Sequence, residues 1–433
     1  MIKSLTKHAN CFAVGFNGNK KKFQARYKQK CNTIIKQQAI TIFAMIIVIV
    51  ACALIMPKYA YCATESVTNI SQELNDTVVN ELNEIDFSPF NDVVNQFELE
   101  QTNMFSISSV KNKVYSIISG ENAVSYSSML NCVLSLIGGS IFKFLPLMSV
   151  IIAIGVIGNM LSGFKSKFSE KSTSNLIQMV CFMAVSVLIV TMVKNIVTLA
   201  TNSINNMTSQ MNVVFPILLT LMIGLGANAS VAVYKPIVAI ISTYVAGFFT
   251  YFIVPLFMLS FVFSIITNIT DNVKLDKFNA FISSFFKWSV GLVFTIFFAI
   301  FTLQGITAGK FDSLSIRTTK YTIKSYVPVM GGYLADGMDL ILASTVLIKN
   351  AVGFVGILLT LSTIITPLIQ IALFSLLVKL VSAVLQTMGE VKTSNFLTSI
   401  SKSITMLSTA IIAVGFMYLL SVGLIMTSAN VVI

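Results

Sequence analysis

Charge is scarce in this chain. Only 11% of its 433 residues are Asp, Glu, Lys or Arg, against about 25% in soluble domains, which excludes an ordinary water-soluble fold. Histidine occurs once, at His8, and the six cysteines (Cys11, Cys31, Cys52, Cys62, Cys132, Cys181) form no CxxC pair. Zinc sites need clustered Cys and His ligands, and disulfide scaffolds need denser cysteine. Neither a metal centre nor a disulfide framework is expected, and no cofactor is implied. There is also no Walker glycine loop, no GxSxG, no HExxH and no carboxylate pair in a catalytic setting. These gaps point away from an enzyme.

Apolar residues make up 55% of the chain, with 33 Phe and 20 Met, and they fall in long runs. The expected fold class is all-α: a polytopic helical membrane protein with a small helical extracytoplasmic segment and seven or eight crossings. The net charge of +12 would suit nucleic acid, but its placement argues for a lipid bilayer instead. Residues 1–63 hold ten Lys/Arg and no acid, whereas residues 64–125 hold ten of the seventeen acids and two Lys. Basic flanks stay in the cytoplasm, so residues 1–38 read as a basic cytoplasmic n-region. Residues 39–63, an apolar core followed by small residues, have a signal-peptide pattern. A cleaved signal and an uncleaved anchor both fit. Ile49-Val50-Ala51-Cys52 resembles a lipoprotein box, but the apolar run continues past Cys52.

The acidic segment 64–128 should lie outside the cytoplasm. Val67, Ile70, Leu74, Val78 and Ile85 have helical spacing, and Asp86-Phe87-Ser88-Pro89 ends that helix. The apolar stripe needs a partner, either a second helix over about 90–117 or another protein. The multi-helix transmembrane domain, 129–433, follows.

Residues 213–267 are the most unusual run, about 55 residues with the single charge Lys235. About 20 apolar residues cross a bilayer, so this is a double-length stretch. Pro216, Gly224, Gly226 and Ser230 interrupt its first half, Lys235-Pro236 divides it, and Pro255 breaks the second half. Small residues let helices pack closely, while Gly/Pro-interrupted apolar pairs also mark transport pathways. Both readings stand. Basic residues in 163–175 and 309–327 predict cytoplasmic loops, and the uncharged, Asn/Thr/Ser-rich 195–211 suits an outer loop. That parity places a Lys235-Pro236 turn on the cytoplasmic side. Phe278, Phe281, Ile282, Phe285 and Phe286 share one helical face, fitting an interfacial helix ahead of a crossing over 289–308.

Beyond residue 327 the parity is lost. The stretch 328–348 carries Asp336 and Asp339, then come Lys349-Asn350, Pro367, a polar loop 386–402 and a last helix 404–427. Ionisable residues at membrane depth are functional candidates, although an interfacial turn also accounts for both aspartates. Residues 229–235 echo 343–349, a weak pairing that would relate two inverted halves if it reflects duplication.

The run from Phe215 through Met222-Ile-Gly-Leu-Gly226 to Lys235-Pro236 resembles the signature stretch of the stage III sporulation protein AE family. So do Tyr326-Val-Pro-Val-Met-Gly-Gly-Tyr-Leu-Ala-Asp336, Ala343 to Gly353, and Leu380-Val-Ser-Ala-Val-Leu-Gln386. The resemblance covers roughly 130–427. It implies an integral membrane component of a channel or secretion-like complex linking mother cell and forespore, in the mother-cell membrane around the forespore. The implied partners are other proteins of the same sporulation complex and a forespore membrane partner. The alternative is an independent secondary transporter for small molecules. The long basic n-region departs from the family's usual short start.

Overall fold

Helix is the form in which an apolar run satisfies its own backbone hydrogen bonds, and only helices or closed barrels can cross a lipid core. A computed structural model describes residues 68–96, 109–120, 126–165, 171–269, 275–305, 308–326 and 330–428, and no strand occurs among them. Residues 1–63, with the basic flank and the signal-like core, lie outside the described residues. Among the described residues three short helices come first: α1 (Thr68–Glu84), α2 (Ser88–Asn95) and α3 (Val110–Ile118). Six long apolar helices and one amphipathic helix follow: α4 (Tyr126–Lys165), α5 (Lys171–Gly224), α6 (Asn228–Ile269), α7 (Asp276–Gly305), α8 (Ala308–Tyr326), α9 (Gly331–Thr387) and α10 (Val391–Thr427). All but α8 of these seven are long and apolar enough to cross a membrane.

The core is built around α9. From Ala351 to Leu368 every residue except Phe354 and Ile365 is buried, as expected of a helix that is apolar all round. Helix α4 runs parallel to α9, with the Phe144 and Phe374 rings 5.2 Å apart. Helices α5 and α10 run the opposite way beside it, tied to each other by Phe182 on Phe396 at 5.1 Å. Lipid gives little hydrophobic drive between helices, so small residues and hydrogen bonds carry the association. A Cβ at Gly155 would lie 2.2 Å from Leu385 Cδ2, and one at Gly415 2.2 Å from Ile364 Cδ1. Serines seven residues apart line the α9–α10 seam. Ser375 Oγ meets Ser401 Oγ at 2.8 Å, and Ser382 and Ser394 each donate to the other's carbonyl at 2.8 and 2.9 Å.

Several sequence expectations are corrected. Residues 195–211 are no loop but the middle of α5. Their polar groups find partners across the bundle: Ser203 Oγ donates to the Thr363 carbonyl, Gln210 Nε2 donates to Thr363 Oγ1, and Thr208 shares a hydrogen bond with Tyr418. The turn at Lys235-Pro236 does not exist. The chain reverses at Leu225–Ala227, where Gly226 has φ +75°, and Pro236 sits inside α6. Residues 331–387 form one helix through Pro367, and the loop at 386–402 shrinks to a turn around Gly389 (φ +94°). Residues 129–142 continue into α4, and the Phe face of 278–286 belongs to a single α7 that runs on past residue 289. The proposed loop 309–327 is helix α8. In place of seven or eight crossings there are six such helices among the described residues.

These changes overturn the parity. The bundle has two ends, one at the Gly226 turn and one at the Gly389–Glu390 turn. Helices α1–α3 and α8 gather at the Gly226 end, so the acidic segment and the basic stretch 309–327 share one side.

Candidate functional site

Among the described residues, two of the three buried charged side chains, Asp312 and Lys349, lie at the Gly226 end. Helix α1 contributes a stripe, Val78 and Leu82, and α2 adds Phe90, Val93 and Val94, all buried. The expected helix over 90–117 is instead α2 and α3. Asp86 sets the start of α2 by accepting from the Ser88 backbone N–H at 2.9 Å and from its hydroxyl. Those bonds hold the Asp86 carboxyl below its usual range. Asn91 Oδ1 accepts from the Val110 N–H, and Lys111 Nζ donates to Asn83 Oδ1, tying α3 to α1 and α2. Burial pushes the Lys113 ammonium downward. The partner of the apolar stripe is the long helices themselves: α1 and α3 pack on α9, and α2 packs on α5.

Three polar joints close this end. Glu81 accepts from Ser344 Oγ at 2.7 Å and from Thr345 Oγ1 at 3.2 Å, fixing α1 to α9. Asp312 on α8 is 4% exposed, and its two oxygens accept from the Ala229 and Ser230 backbone N–H groups, each at 3.0 Å. These are orphan donors of the first turn of α6, and a carboxylate there also complements the helix dipole. Lys349 is 0% exposed and donates to the Ser428 carbonyl at 2.5 Å, where α10 ends. A cation suits a helix C-terminus. Ser428 also donates to Met222 Sδ, so one residue joins α5, α9 and α10. Leu225, Ile316 and Leu342 pack beneath.

Of the residues singled out in the sequence, Gly226, Ser230, Asp339, Lys349 and Asn350 meet here. Asp339 forms an ion pair with Lys320. Gly224 faces Thr345, whose Cγ2 would lie 3.8 Å from an added Cβ. Ser230 Oγ and Asn350 Oδ1 are buried with no partner among the described residues. Pro216, Lys235, Pro236 and Asp336 point outward and do not join the cluster. The echoed segments also part company: Ser230 lies in the first turn of α6, whereas Ser344 lies well inside α9. Sequence reasoning missed Glu81, Asp312, Lys320 and Ser428, none of which stands in a motif. The serine spacing 394, 401, 408 with Gly415 was a readable signal for the α10 seam.

This arrangement satisfies its charges internally. It joins five helices (α5, α6, α8, α9 and α10) to α1 of the acidic segment. The family model described as Stage III sporulation protein AE matches residues 108–429. The chain is 24% identical over 322 residues to the Stage III sporulation protein AE of Bacillus subtilis (strain 168), spanning 74% of this chain and 81% of that one. No solved structure matches. The chain, a multi-pass helical membrane protein, belongs to the stage III sporulation protein AE family.

Proposed function

We propose that this protein is a non-enzymatic membrane component of a sporulation complex linking mother cell and forespore. In this reading the Gly226 end docks partners from outside the mother-cell cytoplasm. The observation that carries it is helix length set against membrane thickness. Helix α5 has 54 residues and α9 has 57, about 80 Å each at 1.5 Å per residue, whereas the hydrocarbon core is about 30 Å thick. Much of each helix therefore stands outside the lipid, and at one end the pair carries α1–α3 of the acidic segment. The Glu390 end would face the cytoplasm, in keeping with Lys379, Lys392 and Lys402, which flank it in sequence, and with Lys165 and Lys171, where α4 ends and α5 begins. The basic residues 1–38 would stay on that side, and 39–63 would deliver the acidic segment across the membrane.

Co-purification from sporulating cells tests this. Recovery with other proteins of the complex and with a forespore membrane protein supports it, as does loss of that recovery when α1 carries Val78→Asp. A protein that purifies alone and takes up a small solute unaided in liposomes contradicts it and favours the independent transporter.

A further inference from the structure

Helix α6 is not a regular α-helix. Two π-helical segments, Ile241–Val245 and Phe249–Ile253, interrupt it at mid-length. Such bulges shift the backbone bonding to i→i+5 and recur at functional sites. Pro255 follows directly and has no N–H to give the carbonyls one turn back. Each π segment also carries a buried hydroxyl, Ser242 Oγ and Thr250 Oγ1, with no partner among the described residues. Ser242 is 3% exposed. Both segments pack on α5. That helix also carries Gln210, 0% exposed, whose Nε2 is used on Thr363 while its Oε1 has no partner among the described residues. By contrast Tyr244 and Tyr251, on the same π segments, face outward. Buried hydroxyls and amide oxygens are costly in an apolar medium unless bonded, and a polar pocket with two to four such groups is what holds water.

We propose that Ser242, Thr250 and Gln210, with the carbonyl that Pro255 leaves without its regular donor, form a hydrated pocket inside the membrane domain. It binds water between α5 and α6. The inference stands whether or not the protein works in a complex.

The test uses the full chain with its six cysteines replaced by serine. Cysteine is then placed singly at Ser242, Thr250, Tyr244 and Tyr251. The probe is the small water-soluble reagent 2-aminoethyl methanethiosulfonate. The reactive species is the thiolate, which apolar surroundings suppress. The account expects Ser242→Cys and Thr250→Cys to react roughly tenfold faster than the two lipid-facing cysteines. Equal or slower reaction at 242 and 250 overturns it. Ser242→Ala and Thr250→Ala give a second measure that does not need the cysteines to fold. Removing a water-bonded hydroxyl lowers the melting temperature, whereas removing a dry, unpartnered one raises it. A rise in both variants also overturns the proposal.

Discussion

Lys349 and Asp312 show how single buried charges organise this protein. Lys349 closes the C-terminus of α10, and Asp312 closes the N-terminus of α6. Removing one partner of a charged hydrogen bond costs about 1.5–3 kcal/mol. Lys349→Met should therefore destabilise the purified protein by about 2 kcal/mol, read as a lower denaturation midpoint in detergent. Asp312→Ala should cost a similar amount and Asp312→Asn less, because the amide keeps one acceptor. Equal midpoints for all three variants and the parent would contradict both roles. At the opposite end, Glu390 is 4% exposed, and its Oε1 has no partner among the described residues. Burial pushes its carboxyl upward. A folded pKa above the unfolded one means stability is fully present below the unfolded value and is lost as pH rises through the folded value. Glu390→Gln should thus stabilise the protein near neutral pH, with a gain that shrinks on acidification through the carboxylate range. A melting-temperature series against pH checks this, and a variant less stable at neutral pH would refute it.

Helix continuity is where sequence and structure part most. At Gly226 the chain needs φ +75°, a region that costs other residues roughly 1–2 kcal/mol. Gly226→Ala should lower the denaturation midpoint accordingly, while Gly291→Ala, which meets nothing within 4 Å, should not. The all-α membrane class, the amphipathic face of α1 and the aromatic face of α7 were legible, because each follows from local periodicity. The continuity of α5 and α9 was not. Asn, Ser and Thr in 195–211 look like loop residues, and only the positions of Thr363 and Tyr418, far along the chain, give them helix-to-helix partners. Pro216, Pro236 and Pro367 look like breaks, yet neighbouring helices and local widening accommodate proline in a bundle. The same reasoning explains the candidate site. Gly226 and Lys349 stood out by residue type. Asp312 and Glu81 acquire meaning only when α8 and α1 are laid against the start of α6 and the middle of α9.

For the whole molecule, joining 171–224 into one helix removes a crossing and reverses everything after it. The acidic segment and α8, which charge counting put on opposite sides of the membrane, meet on the same few turns of α9 through Glu81 with Ser344 and Ile316 with Leu342. The Glu390 turn lies at the other end of the bundle. That two-ended arrangement underlies the proposal that one end receives partners while the other faces the mother-cell cytoplasm. Its direct test is side-specific labelling of the full chain in sealed membrane vesicles. Single cysteines at Ser88, Tyr321 and Lys392, in a background lacking the six native ones, are exposed to a membrane-impermeant maleimide. The account predicts that Ser88→Cys and Tyr321→Cys are modified from the same side and Lys392→Cys from the opposite side. Modification of Ser88→Cys and Tyr321→Cys from opposite sides would contradict it.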